Sequence, residues 1–186
     1  MRISFDLDDV LFVSPKTYET EPAPRFPYDR LFPERLRKGT PELIHTLQER
    51  GFEVWINTSS FRSERYLRRL FRLYGIRFDE IVNGERHKKE VQRDRKERLP
   101  MKLPNFYRID LHVDDEKSVR DNALRYGYRV MRVMEPDEHW IERVLREAER
   151  VYRLEQIKMA QENSRTQEDR IRKKCLCLSA EPYERE

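Results

Sequence analysis

Residues 3–10 read ISFDLDDV. Apolar Ile3, Phe5, Leu7 and Val10 alternate with or flank three carboxylates, Asp6, Asp8 and Asp9. The apolar alternation predicts a short strand over residues 2–7. Carboxylates at the mouth of a buried strand are costly to desolvate. Their presence there points to chemistry rather than to folding.

The rest of the chain supplies the frame for that strand. Residues 12–39 hold Pro15, Pro22, Pro24, Pro27 and Pro33, which argues against a regular element. The stretch GTPELIHTLQERG then predicts a helix, with Thr40 as cap, Pro41 at the first position and Gly51 as a left-handed stop. FEVWI (52–56) predicts a strand, 63–74 a helix stopped by Gly75, and 79–82 a short strand. Residues 84–98 are almost entirely charged, without an apolar period, and read as a solvated excursion. A strand over 107–113, a helix over 118–127 and a strand over 128–134 follow. An amphipathic helix is expected from Pro136 to about Lys158, with Trp140, Ile141, Val144, Leu145, Ala148, Val151 and Tyr152 on its inner face. This alternation predicts an α/β fold: a three-layer Rossmann-like parallel sheet with helices on both faces. Residues 1–160 would form that domain, and 161–186 a polar, flexible tail.

Composition is consistent with one such domain. Charged residues make up 40% of the 186 and apolar ones 37%, lean but sufficient for a core if periodic. The net charge of +4 permits an anionic partner without requiring nucleic acid. Cys175 and Cys177 lie together in the polar tail, without partners for a metal site or a disulfide framework, which suggests a reducing compartment. No signal-like N-terminal region or membrane-length apolar run is evident, so a cytoplasmic protein is expected.

Ligands of parallel sheets bind at the carboxyl ends of the strands. Those ends carry Asp6 and Asp8, then Thr58, Ser59 and Ser60 after VWIN, then Asp114 and Asp115 after IDLHV, with Lys102 just upstream. Clustered carboxylates repel, and a hard cation such as Mg²⁺ relieves that repulsion. An ammonium and a hydroxyl stabilise the charge of a phosphoryl group. One carboxylate can attack phosphorus, and a second can move the proton. Asp9 reads as a solvated or capping carboxylate, and His112, inside an apolar strand, as a packed histidine. Thr58, Ser59 or Ser60 can equally cap a helix.

FDLDDVL, VWINTS, the lysine of KLP and HVDD occur in the order of the four motifs of the haloacid dehalogenase (HAD) superfamily of phosphohydrolases, which this sequence resembles over about residues 1–150. The resemblance implies that Asp6 is nucleophile and metal ligand, and that Asp8 is general acid/base with its backbone carbonyl on the metal. It implies that Thr58, with Ser59 beside it, and Lys102 hold the phosphoryl group, and that Asp114 completes the Mg²⁺ site beside Asp115. Lys102 lies only 12 residues before Asp114, leaving no room for the helix that often separates the two motifs in that family. Lys88 and Lys89 are therefore alternatives; Lys102 is preferred because Pro100 and Pro104 constrain its loop.

Cap domains in that family insert at places that are short here, so an uncapped enzyme is expected. Two loops would rim the site. The first carries Arg25, Arg30, Arg35, Arg37 and Lys38 with Phe26, Tyr28 and Phe32. The second, Glu85 to Arg98, holds seven basic residues against four acidic ones. Such a rim suits a nucleotide or another large anionic ester, or is simply solvated. Three functions stay open: a Mg²⁺-dependent phosphatase, a nucleic-acid end-processing or nucleic-acid-binding protein, and a non-catalytic scaffold.

Overall fold

The computed structural model describes residues 1–93, 95–133 and 137–178, with side chains described up to residue 168. Asp94, the expected helix start at Pro136, and the thiols of Cys175 and Cys177 lie outside what is described. The chain divides into two units, Met1–Ala148 and Glu149–Glu186.

The first unit begins with β1 (Arg2–Phe5) and continues through α1 (Tyr28–Leu31), α2 (Thr40–Glu49), β2 (Glu53–Asn57), α3 (Glu64–Leu73), β3 (Glu80–Val82), α4 (Gly84–His87), β4 (Leu111–Asp114), α5 (Lys117–Tyr126) and β5 (Val130–Arg132). α6 starts at Trp140 and runs into the second unit. All strand pairings are parallel, in the order β3-β2-β1-β4-β5. The sheet grows one way from β1 through β2 and β3, and the other way through β4 and β5. Right-handed crossovers therefore place α2 and α3 on one face and α5 on the other. The point where the order reverses, between β1 and β4, is where a doubly wound sheet opens its ligand crevice. This is the expected three-layer Rossmann-like α/β architecture. Among the described residues, neither long connection contains a large cap: 6–39 holds the four-residue α1, and 83–110 holds α4 and short turns of other helix.

Local chemistry explains most of the elements. Ser63 caps α3, its hydroxyl accepting from the Tyr66 N–H. Gly51 takes the left-handed conformation after α2 (φ 81°) as expected. Thr40 does not cap α2: its hydroxyl donates to the Arg37 carbonyl at 2.6 Å, and Gly39 precedes the helix. One core face is visible in the register. Trp55 and Val82 point to the side where Val91, Leu103, Tyr107, Val119 and Tyr128 are buried.

Three expectations differ. Residues 84–98 are not an unanchored excursion: α4 and a π-helix (Lys88–Gln92) bury His87 and Val91, so two side chains tether the charged run. Residues 107–110 are not strand, because a 3-10 helix (Pro104–Tyr107) precedes β4 and the Ile109 N–H returns to the Pro104 carbonyl. The helix expected to end near Lys158 continues to Leu178. The apolar stripe ends earlier, but the Gln, Glu, Arg and Lys that follow favour helix without a buried face. Among the described residues, no helix is long and apolar enough to cross a membrane.

Candidate active site

The crevice between β1 and β4 is built by strand alternation. Ser4 and Asp6 lie two residues apart on one face of the β1 line, as His112 and Asp114 do on β4. Ser4 is paired directly with His112. The Asp6 N–H continues the ladder by donating to the Val113 carbonyl at 2.9 Å. Asp6 and Asp114 are thus carried to the crevice on adjacent strands, and Asp115 follows on the next residue. One carboxylate oxygen from each of Asp6, Asp114 and Asp115 lies within 4.8 Å of the others.

Lys102 approaches from the core face. Its neighbour Leu103 is buried among the apolar side chains there, which anchors the loop. The Lys102 ammonium, 3% exposed, lies 2.8 Å from Asp6 Oδ2 and 2.8 Å from Asp114 Oδ2. Lys88 and Lys89 are exposed, and Lys89 is paired with Glu85 at 2.7 Å. The lysine brought to the carboxylates is therefore Lys102.

Asp114 is saturated on one oxygen. Its Oδ2 also accepts from His112 Nε2 at 2.9 Å, while Oδ1 accepts the Glu116 N–H at 2.8 Å. Because a carboxylate only accepts, the proton of this bond belongs to Nε2. The other ring nitrogen meets Ser4 Oγ at 2.9 Å. His112 is packed as expected, but it also orients Asp114, a role that reading it as a core residue missed. The available signal was its place two residues before Asp114, which puts both on one face of the strand.

Asp6 is different. Its Oδ2 is held by Lys102, and its buried Oδ1 has no hydrogen-bond partner among the described residues. An unpartnered carboxylate oxygen in the interior is costly. Together with an all-oxygen donor set from three carboxylates, it fits a hard divalent cation that keeps several waters. Asp6, Asp114 and Asp115 would hold such an ion.

The three carboxyls are separated electrostatically. Burial pushes the Asp6 carboxyl above its ordinary value; Lys102 opposes that rise and the charge of Asp114 adds to it. Burial also raises Asp115, with the Asp114 charge behind it, to about 6. At Asp114 burial pushes upward too, but His112 and Lys102 outweigh it and bring the carboxyl down to about 2. Lys102 is raised: burial works against its charge, and Asp6 and Asp114 more than restore it.

Thr58 follows β2, 1% exposed, close enough to bear on the Asp6 carboxyl. Its hydroxyl accepts the Ser60 N–H at 3.2 Å. Ser59 is half-buried and lines a cavity of about 310 Å³ with Lys102, Met101, Glu116, Ser118 and Asn122. The loop is held close to α4: a Cβ on Gly84 would come within 2.6 Å of the Ser59 carbonyl oxygen.

Asp8 is not part of the carboxylate group. It is exposed, and its Oδ2 accepts from Arg62 Nη1 at 2.9 Å. Asp9 is exposed, in the left-handed region (φ 59°), where it turns the chain back. Arg62 was invisible to the sequence reading; nothing in its local pattern marks it as a partner of a residue 54 positions away.

The sequence matches no family model and no curated protein. Among solved structures, the chain is similar to a HAD-superfamily hydrolase, subfamily IA, variant 1, from Geobacter sulfurreducens. Identity is 17% and the TM-score 0.45, over 70% of this chain and 88% of that one. It is also similar to an uncharacterized protein from Listeria monocytogenes serotype 4b, at 20% identity and a TM-score of 0.45, over 73% of this chain and 79% of that one.

Proposed function

We propose that this protein is a Mg²⁺-dependent phosphatase of the HAD type that hydrolyses a phosphate monoester through an aspartyl phosphate on Asp6. The observation that carries the reading is Asp6 itself. It is a buried carboxylate at the reversal of strand order, with one oxygen tied to Lys102 and the other unpartnered. Mg²⁺, held by Asp6, Asp114 and Asp115, would supply positive charge that lets a phosphate dianion approach these carboxylates.

The chain's own groups divide the remaining work. Lys102 orients Asp6 and offsets charge on the transferring phosphoryl group, with the Thr58 hydroxyl and Ser59 beside it. A free Asp6 oxygen bonds to phosphorus as the phosphorus–oxygen bond to the leaving alcohol breaks. Asp8 gives the leaving oxygen its proton. A water oxygen then bonds to phosphorus and gives a proton back to Asp8. The bond from phosphorus to the Asp6 oxygen breaks, and phosphate is released. His112 holds Asp114 through both steps.

Among the described residues, two of the seven basic residues of the second rim loop are held in ion pairs. Arg86 pairs with Glu80 and Glu90, and Lys89 with Glu85.

The test is a screen of phosphate monoesters with Mg²⁺, including nucleotides and 3′- and 5′-phosphorylated oligonucleotides, with Asp6→Asn as control. Turnover of at least one ester that is abolished in folded Asp6→Asn is expected. Near-normal turnover by Asp6→Asn, with deamidation excluded, overturns the reading.

A further inference from the structure

The proposed chemistry asks an exposed carboxylate on a tight turn to move protons with precision. Asp8 precedes the left-handed Asp9, and the hydrogen bond to its carboxylate comes from outside its own turn. Proton transfer requires it within hydrogen-bond reach of the reacting oxygen. What restrains it comes from another part of the fold.

Arg62 donates from Nη1 to Asp8 Oδ2 at 2.9 Å, and from the same nitrogen to Ser60 Oγ at 2.9 Å. Its Nε donates to Glu34 Oε1 at 3.0 Å. The other oxygen of Glu34 accepts from the Tyr66 hydroxyl. The guanidinium carbon lies 5.5 Å from the centre of the Phe12 ring. The Arg62 carbonyl accepts from Asn83 Nδ2 at 2.9 Å. A planar guanidinium bonded along two edges and packed on a ring has little freedom left. It therefore transmits its own fixed position to whatever carboxylate it holds.

We infer that Arg62 is the positioning residue for Asp8, fixing where the proton-carrying carboxylate sits relative to Asp6. The inference rests on the phosphatase reading above. The same short loop, 58–62, carries Thr58 and Ser59 at one end and Arg62 at the other.

The signature is chemical. An aryl phosphate has a leaving group that needs no proton, so Asp8 matters for it only when water attacks the aspartyl phosphate. An alkyl phosphate needs Asp8 in both steps. With Arg62→Ala, pre-steady-state measurement on an aryl phosphate should show a burst of phenolate followed by a steady rate lower by on the order of 10-fold or more. The alkyl ester should lose at least as much rate and show no burst. Arg62→Lys, which keeps a charge but not the fork, should recover part of the loss. In an Asp8→Asn background, Arg62→Ala should cost nothing further. Circular dichroism melts establish that each variant is folded, and the melting shifts of Asp8→Asn and Arg62→Ala should be non-additive.

Folded Arg62→Ala with unchanged or faster turnover overturns the inference while leaving the phosphatase reading intact. So does full additivity with Asp8→Asn, which would give Arg62 a separate role. A wild-type protein that turns over neither ester overturns both.

Discussion

Replacing Lys102 by methionine, which keeps most of the stem volume and removes the charge, tests the centre of the site. The ammonium is 2.8 Å from both Asp6 Oδ2 and Asp114 Oδ2, and all three side chains are at most 5% exposed. At an effective dielectric of about 20, each contact is worth roughly 6 kcal/mol before desolvation. Burying the ammonium costs several kcal/mol, so the net value of the arrangement is far smaller than the two contacts together. Removing one partner of a buried pair while the others remain costs about 3–5 kcal/mol. That is a large share of a domain stability of about 5–15 kcal/mol. In urea unfolding at pH 7.5 with EDTA, Lys102→Met should therefore lose about 3–5 kcal/mol. The loss comes from uncompensated carboxylates rather than from a cavity, so millimolar Mg²⁺ should restore most of it. A variant within about 1 kcal/mol of wild type in EDTA contradicts the reasoning, since that is the scale of an exposed pair. A full deficit that Mg²⁺ leaves untouched contradicts it equally.

Three further outcomes follow from the same geometry. Lys102→Ala should lower kcat/KM on a small ester by on the order of 10²-fold or more, while Lys88→Ala with Lys89→Ala should leave that ester within about 3-fold, because one lysine is preorganised and the others are solvated; parallel steady-state assays decide between them. Asp115 is raised to about 6, so its contribution to stability is fully present below the ordinary carboxyl value of 3.8 and is lost as pH rises through about 6; metal-free melts should decline over that window, Mg²⁺ should stabilise more at pH 7 than at pH 5, and Asp115→Asn should flatten the decline. Gly84→Ala should destabilise by about 1–3 kcal/mol and displace the Ser59 loop, because the new methyl meets a backbone oxygen at 2.6 Å; unchanged unfolding and unchanged KM would contradict the tight contact.

The sequence by itself determined the α/β order and the strand ends. Both are local: a strand is an alternation, a helix stop is a glycine at its end, and Asp6, Asp114 and Asp115 lie one residue or less beyond the strands that carry them. Even there the limits of local pattern appear. Val91 and His87 anchor the charged segment against the core, and an isolated valine in a run of charges shows no period. Only the tertiary structure decided the rest. That β1 lies between β2 and β4 brings Ser4 opposite His112 across 108 residues, and Arg62 to Asp8 across 54. Lys102 is selected over Lys88 and Lys89 by burial of its neighbour Leu103, not by spacing alone. The division of the acidic residues into a buried group (Asp6, Asp114, Asp115) and a separately held Asp8 has the same origin. Charge, burial and partner at each carboxylate depend on which strands become neighbours, and strand order is set by packing of the whole sheet rather than by the residues around any one aspartate.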